Sequence, residues 1–362
     1  MEFVNKDELT VDDAVKQSGD ISEASAQKRI LPGMKSTICG DCTVVEDIPE
    51  PPIAPVDRLL VPGDIVTIKE EDERIFIIGT KEGKVTKITG LEVAKNLKTL
   101  VLRSCLVSKI EGLEENLELE QLELYDNHIE CIDRINHLKN LKILDLSFNA
   151  IREMVNLATC CPLLEEVYIA QNKLRTIQGL EGLVHLRILD LGANRIRVIQ
   201  GLETNTALKS LWLGKNKIEH IAGLESLTQL RQLDIQNNRL TSLGEGLLHL
   251  ANLEELYLAW NAIDTLQGLP VPSSLNTVDL SKNNIVSLEG IEHQRTLEEL
   301  WLSYSQVVTF ESLAPLQRLP QLSCLYLEHS PLAKDYEYRK VITRMLPSLQ
   351  QLDATTVNRT VS

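Results

Sequence analysis

Aromatic side chains are scarce, with 3 Trp, 7 Tyr and 4 Phe in 362 residues, too few to build a mixed core of that size. No stretch approaches the roughly 18 consecutive apolar residues of a membrane-spanning helix, which excludes a transmembrane chain. Met1 to Thr10 include Asp7 and Glu8 and hold no apolar signal core, so export is not expected. Seven cysteines is an odd count for a secreted disulfide framework and fits a reducing compartment. Positive charge is in deficit, 37 Lys and Arg against 52 Asp and Glu for a net −15, which argues against a partner recognised through phosphates. Gly-rich phosphate loops are missing. The seven histidines (His128, His137, His185, His220, His249, His293 and His329) stand at no defensible spacing from a nucleophile. Cys39 and Cys42 form the one CxxC, without strand–helix context or a second pair to complete a zinc site. Cys160 and Cys161 read as filler on an outer turn. No catalytic residue, metal site or cofactor is therefore expected.

Leucine is what the chain has in excess. Sixty-one residues are leucine, and only Leu9, Leu31, Leu59 and Leu60 precede residue 91. Residues 1–74 hold 17 acidic and 8 basic side chains and the run Pro49-Glu50-Pro51-Pro52-Ile53-Ala54-Pro55. Such a segment buries too little apolar surface to offset its ordering entropy and reads as a disordered acidic tail. Residues 75–91 are the candidate N-terminal cap, with Gly83 to Leu91 aligning as a degenerate half-repeat on Asn216 to Leu224.

Downstream, the frame L-x-x-L-x-L-x-x-N-x-L/I recurs with Asn at 127, 149, 172, 194, 216, 238, 261 and 283, a period of 22 or 23 residues. Cys105, Ser305 and Ser330 occupy the same register. This is the defining pattern of a leucine-rich repeat. In each unit the first part alternates, as in Leu208-Lys209-Ser210-Leu211-Trp212-Leu213, and predicts a short strand with one buried face. The Asn is placed to satisfy backbone groups of its own and the adjacent turn. Ile218, Ile221, Leu224 and Leu227 follow at every third position, which suits 3₁₀ or short helical turns. The expected fold is an α/β solenoid: a parallel sheet on the concave side, short turns on the convex side, and about 11–12 repeats over residues 75–332. Residues 333–362 form the C-terminal cap, with a helix over Tyr336–Leu346 N-capped by Asp335 and stopped by Pro347. A last strand follows at Leu349 to Asp353.

One column projects from the concave face, between the second and third strand leucines: Glu123, Asp145, Tyr168, Asp190, Trp212, Asp234, Tyr257, Asp279, Trp301, Tyr326. Acid and aromatic alternate from Asp145 to Trp301, and five of the chain's 14 aromatics stand in this column. Aspartate alone has a bland explanation, because a solvated carboxylate at a strand end needs no function. Exposed rings in a row have none on a soluble surface, and Tyr, Trp and Arg are the usual interface anchors. Glu166, Glu255 and Glu299 flank the column. The complement of such a strip is a protein surface bearing Arg or Lys with apolar stems.

Several stretches resemble the regulatory-subunit-7 family of leucine-rich-repeat regulators of protein phosphatase 1. They are Leu122-Glu123-Leu124-Tyr125-Asp126-Asn127, Leu144-Asp145-Leu146-Ser147-Phe148-Asn149, Leu211 to Ile218, and above all Tyr326 to Asp335 with Leu346-Pro347-Ser348-Leu349 and Asp353-Ala354-Thr355. The resemblance spans roughly residues 80–358. It implies a non-catalytic subunit that holds the phosphatase catalytic subunit on its concave face, with a further phosphatase inhibitor subunit as a candidate third member of a ternary complex. It also implies a nuclear and cytoplasmic location. The positions matching the family's contact residues are Asp145, Tyr168, Asp190, Trp212, Asp279, Glu299, Trp301 and Tyr326, and Asp234 and Tyr257 complete the column. Val307-Val308-Thr309-Phe310 lacks the leading basic residue of a short phosphatase-docking peptide and falls inside the repeats. The alternatives are a generic adaptor of ciliary or spliceosomal type and, more remotely, a thiol oxidoreductase using Cys39 and Cys42.

Overall fold

Each repeat contributes a strand of about three residues, and in the computed structural model these strands stack in chain order into one 15-stranded sheet. The structure describes residues 58–60, 68–80, 84–271 and 273–357. The strands are β1 (Arg58–Leu60), β2 (Arg74–Ile78), β3 (Thr99–Arg103), β4 (Gln121–Glu123), β5 (Ile143–Asp145), β6 (Glu166–Tyr168), β7 (Ile188–Asp190) and β8 (Ser210–Trp212). They continue as β9 (Gln232–Asp234), β10 (Glu255–Tyr257), β11 (Thr277–Asp279), β12 (Glu299–Trp301), β13 (Cys324–Tyr326), β14 (Gln351–Leu352) and β15 (Thr355–Thr356). Every pairing is parallel up to β14, and β15 alone runs antiparallel. Residues one period apart are in register, so Asp190 pairs with Trp212 and Asp279 with Trp301. That register turns a sequence column into a physical row with a spacing of about 4.8 Å.

The leucine frame is the core. In the repeat from Leu208 to Leu227, Leu208, Leu211, Leu213, Ile218, Leu224 and Leu227 are fully buried, each stabilising the fold by about 1.5–3 kcal/mol. On the side away from the sheet the chain closes by single i→i+3 turns, as in Leu227 N–H to Leu224 C=O and Leu230 N–H to Leu227 C=O, in line with the three-residue spacing. Among the described residues, regular helix is confined to α1 (Leu157–Cys160), the 3₁₀ segments Ile291–His293, Glu311–Arg318 and Leu332–Lys334, and α2 (Tyr338–Met345).

The Asn column satisfies the backbone in both directions. Asn194 Oδ1 accepts from Leu174 N–H at 3.0 Å, and its Nδ2 donates to the carbonyls of Ile169, Leu191 and Gly192 at 2.8–3.2 Å. Asn216 repeats the pattern one turn on. A second set of buried amides, Asn116, Asn205 and Gln294, sits among the leucines; Asn116 donates to the Leu91 and Ala94 carbonyls and Asn205 to those of Leu180 and Leu183. The repeat frame does not announce these.

The residue before each Asn, or before its replacement, is left-handed throughout. Ser104, Asp126, Phe148, Gln171, Ala193, Lys215, Asn237, Trp260, Lys282, Tyr304 and His329 have φ between 52° and 62°. Non-glycine residues there are strained, and hydrogen bonds to the next turn hold them, as in Ala193 N–H to Gly214 C=O at 2.7 Å.

At the N-terminal end, Ile75, Ile88 and Leu91 join the core, with Ile88 and Leu91 in the places of Ile221 and Leu224. Two elements start earlier than the sequence suggests: β1 and the first residue of β2 lie inside the stretch read as tail, and β1 pairs with β2 in parallel. Residues 1–57 lie outside the described residues, as does the CxxC of Cys39 and Cys42.

The C-terminal cap differs from expectation in its detail. Helix α2 begins at Tyr338, with Glu337 at its N-cap. Asp335 closes the preceding 3₁₀ turn instead, and its Oδ1 accepts from Glu337 N–H at 2.8 Å. Asp335 is two residues too early to reach the first helical amides. Tyr338 and Ile342 are buried and Met345 packs on the core. Arg339 donates to the carbonyls of Leu352, Thr355 and Thr356, which ties the β14–β15 hairpin to α2.

Candidate functional site

Strands β4 to β13 present the ten-residue column on the open face of the sheet, one residue per strand, because alternate residues of a strand share a face. Glu123 opens it, buried and paired with Arg103 at 2.6 Å. Asp145 is buried, and Tyr168, Asp190, Trp212, Asp234, Tyr257, Asp279, Trp301 and Tyr326 are half-buried. Glu299 lies two residues before Trp301 on β12 and shares its face. All ten predicted contact residues, Asp145 to Tyr326 with Glu299, thus line one surface.

The aspartates are not simply solvated. Asp145, Asp190, Asp234 and Asp279 each accept from the backbone N–H two residues on, that of Ser147, Gly192, Gln236 and Ser281, at 2.8–2.9 Å. They fasten the chain where it leaves the strand, which explains their recurrence without any partner. Burial pushes the Asp234 carboxyl up to about 6, the bonds from Gln236 oppose this, and Asp190 and Asp279 add to the rise. The Asp279 carboxyl is also raised, chiefly by burial. Separating the acids by one strand therefore relieves their repulsion only in part.

The aromatics are held by their neighbours. Tyr168 Oη donates to Glu166 and Tyr257 Oη to Glu255, at 2.7 and 2.9 Å. Trp212 Nε1 donates to Gln232 Oε1 at 3.1 Å, and Gln232 in turn donates to Glu255 at 2.7 Å. Burial, then the Glu255 charge, raises the Tyr257 hydroxyl pKa. The Tyr168 and Trp212 rings, on either side of Asp190 in the row, have centroids 6.4 Å apart. Trp301 meets Tyr326 edge to face at 6.1 Å, and Tyr326 Oη accepts from Gln351.

Two groups break this pattern on β12. Trp301 Nε1 is buried and donates to no group among the described residues. The Glu299 carboxylate takes part in no hydrogen bond or ion pair among them. Its carboxyl is raised by burial, then by Glu298 and Glu255. An unmet buried donor costs about 1–3 kcal/mol, so the Trp301 indole N–H is destabilising as it stands.

A second aromatic ridge borders the face and carried no signal in the strand column. Trp260 and Tyr304 are 54% and 45% exposed, both in the left-handed column. The Lys282 ammonium lies 3.5 Å from the Trp260 ring centre and 4.6 Å from that of Tyr304, and Tyr304 stacks on His329 at 4.3 Å. The identical spacing one residue before Asn was the available cue.

The remaining motifs are structural. Cys160 and Cys161 are buried at the end of α1, and burial lifts the Cys161 thiol to about 12. Val307 is fully buried and Phe310 packs on the core, so that segment cannot be offered as a docking peptide. Among the described residues no His, Cys, Asp and Glu cluster is arranged to hold a metal ion, and no helix is long and apolar enough to cross a membrane.

Comparison with known proteins adds to this geometry. Residues 228–271 match a two-copy leucine-rich-repeat model and residues 137–152 a single-repeat model. A protein named as a homologue of a protein phosphatase 1 regulatory inhibitor subunit, from Arabidopsis thaliana, is 29% identical over 154 residues, 42% of this chain and 46% of that protein. A protein phosphatase 1 regulatory subunit from Dictyostelium discoideum is 40% identical over 75 residues, 21% of this chain and 22% of that protein. The mouse (Mus musculus) centrosomal protein of 72 kDa is 30% identical over 116 residues, 32% of this chain and 15% of that protein. The matched regions thus span less than half the length of these relatives. Among solved structures, an internalin from Listeria monocytogenes superposes with a TM-score of 0.61 at 23% identity, covering 80% of this chain and 88% of that one. A Leptospira interrogans leucine-rich-repeat protein gives 0.59 at 23%, covering 76% of each. Both likenesses concern the fold. The strand register, the Asn column, the matched repeats and these structural neighbours together make the chain a leucine-rich-repeat solenoid.

Proposed function

We propose that the chain is a non-catalytic regulatory subunit that holds the catalytic subunit of protein phosphatase 1 on the open face of its sheet. The observation that carries this reading is the Glu299–Trp301 pair, a carboxylate without a partner beside a buried indole N–H without an acceptor. A protein surface offering an Arg or Lys and a neighbouring carbonyl satisfies both at once. Likeness to two proteins named as phosphatase 1 regulatory subunits supports that choice of partner. The hydrogen-bonded rings at Tyr168, Trp212 and Tyr257 form a preorganised platform, which lowers the ordering cost of association. Asp145, Asp190, Asp234, Asp279 and Tyr326 complete the contact surface, and the catalytic subunit's assembly, location or substrate choice is what such binding controls. A phosphatase inhibitor subunit as a third member of the complex, and a nuclear and cytoplasmic location, are part of the same proposal.

Recovery of phosphatase 1 from cell extract on wild-type protein and on Glu299→Ala/Trp301→Ala tests the reading. Loss of at least tenfold in recovery by the double variant is expected, and unchanged recovery overturns the site. The second reading is an adaptor for a different protein, favoured by the likeness to the centrosomal protein. A dominant captured partner that is not a phosphatase decides for it.

A further inference from the structure

An acidic protein has no general reason to align cations on successive turns, yet seven of this one's 37 stand in two adjacent rows. The position after each repeat Asn reads Lys173, Arg195, Lys217 and Arg239 over four consecutive turns, and the position two further on reads Arg152, Arg175 and Arg197. The repeat does not require a cation there, because the same first position is Ala150, Ala262, Asn284 and Gln306 elsewhere. Backbone bonds fix the alignment: the N–H groups of Lys173, Arg195, Lys217 and Arg239 donate to Ile151, Leu174, Ile196 and Ile218 C=O at 2.8–2.9 Å. Four cations are therefore held one above another at about 4.8 Å, with a second row alongside.

Most of these charges are unmet. Arg239 pairs with Glu219 at 3.7 Å; the other six form no ion pair among the described residues. All four arginines at 152, 175, 195 and 197 are exposed and the two lysines half-exposed. Like charges on adjacent turns repel, so an anionic ligand gains from each of the six unpaired ones.

We propose that this flank, at residues 152–239, binds a short acidic polypeptide segment in extended form. The length of the strip selects the ligand. Four turns span about 14 Å, the reach of four to five extended residues at about 3.4 Å each. Glu130 and Glu219 stand at the two ends of the second row, and Glu153 beside Arg152. A long polyanion such as a nucleic acid runs into those carboxylates, whereas a short acidic run ends before them. Arginine is suited to the task because its planar fork bonds a carboxylate through two N–H groups. The flank is separate from the Glu299–Trp301 surface, and the inference does not depend on phosphatase binding.

The test uses the full chain and a fluorescein-labelled ten-residue peptide containing six consecutive glutamates, read by fluorescence anisotropy. Saturable binding is expected at 50 mM salt, weakening at least tenfold at 300 mM as screening shortens the range of the charges. Arg195→Glu/Lys217→Glu is expected to weaken it at least tenfold again. Arg231→Glu, a charge reversal outside the strip, retains binding. Circular dichroism establishes that each variant is folded, and Arg195→Gln/Lys217→Gln replaces the reversal if it is not. Absence of saturable binding, equal loss in Arg231→Glu, or tighter binding of a ten-nucleotide single-stranded RNA than of the peptide each overturns the proposal.

Discussion

Replacing Asn194 by alanine isolates the contribution of the Asn column. The side chain makes four hydrogen bonds, one accepted from Leu174 N–H and three donated to the carbonyls of Ile169, Leu191 and Gly192. The three carbonyls keep other partners, since Ile169 C=O also receives Asn172 at 3.3 Å, Leu191 C=O receives Asn216 at 3.0 Å, and Gly192 C=O receives Gln171 N–H at 2.8 Å. Leu174 N–H keeps none among the described residues, and Leu174 is fully buried. One orphaned buried donor costs about 1–3 kcal/mol, and the weakened carbonyls add about 1 kcal/mol. The expected loss is therefore about 3 kcal/mol. Asn252→Ala is the control: its amide donates one bond at the surface, to Thr228 C=O, and its removal is expected to cost under about 1 kcal/mol. Urea unfolding followed by circular dichroism gives the difference. Hydrogen exchange locates it, because a solenoid turn is stabilised chiefly by its neighbours, and the turns on either side of Asn194 should lose protection first. Equal shifts in the two variants would refute the reasoning and reduce the Asn column to a feature of the turn with no energetic weight.

The Asp234 carboxyl is pushed to about 6 when folded, above its ordinary unfolded value of about 3.9, so the folded chain binds more proton between pH 4 and 6 and loses stability as pH rises through that window. Asp234→Asn keeps an acceptor for Gln236 N–H and is expected to raise the urea midpoint at pH 7.5 and flatten its pH dependence from 4 to 7; a lowered midpoint with unchanged slope counts against this. Ser305 stands where Asn belongs, and its buried hydroxyl has no partner among the described residues. Ser305→Asn is expected to stabilise the fold by about 1 kcal/mol by reaching groups equivalent to those Asn283 serves one turn earlier, and a lower melting temperature contradicts it.

The repeat was legible because its information is local. Alternation at period two marks each strand, the three-residue spacing after the Asn column marks each turn, and the 22-residue period aligns them. The parallel sheet, the leucine core and the rows on the open face therefore follow from the order of Leu, Asn and polar residues alone. The ten candidate contact residues fell on one surface for the same reason.

Other features depend on what one turn meets in the next. Nothing in Phe148, Trp260 or Tyr304 signals a left-handed backbone; neighbouring turns impose it, and it is what sets Trp260 and Tyr304 on the rim around Lys282. The aspartates owe part of their recurrence to amides two residues on, and the difference between a tethered ring at Trp212 and an unsatisfied one at Trp301 rests on the next strand, which offers Gln232 to the first and Cys324 at the equivalent place to the second. Asp335 carries the residue type of an N-cap but lies two positions early, a distance set by the packing of the cap. Residue order determines which side chains share a row, while hydrogen bonding across turns decides which of them remain unmet.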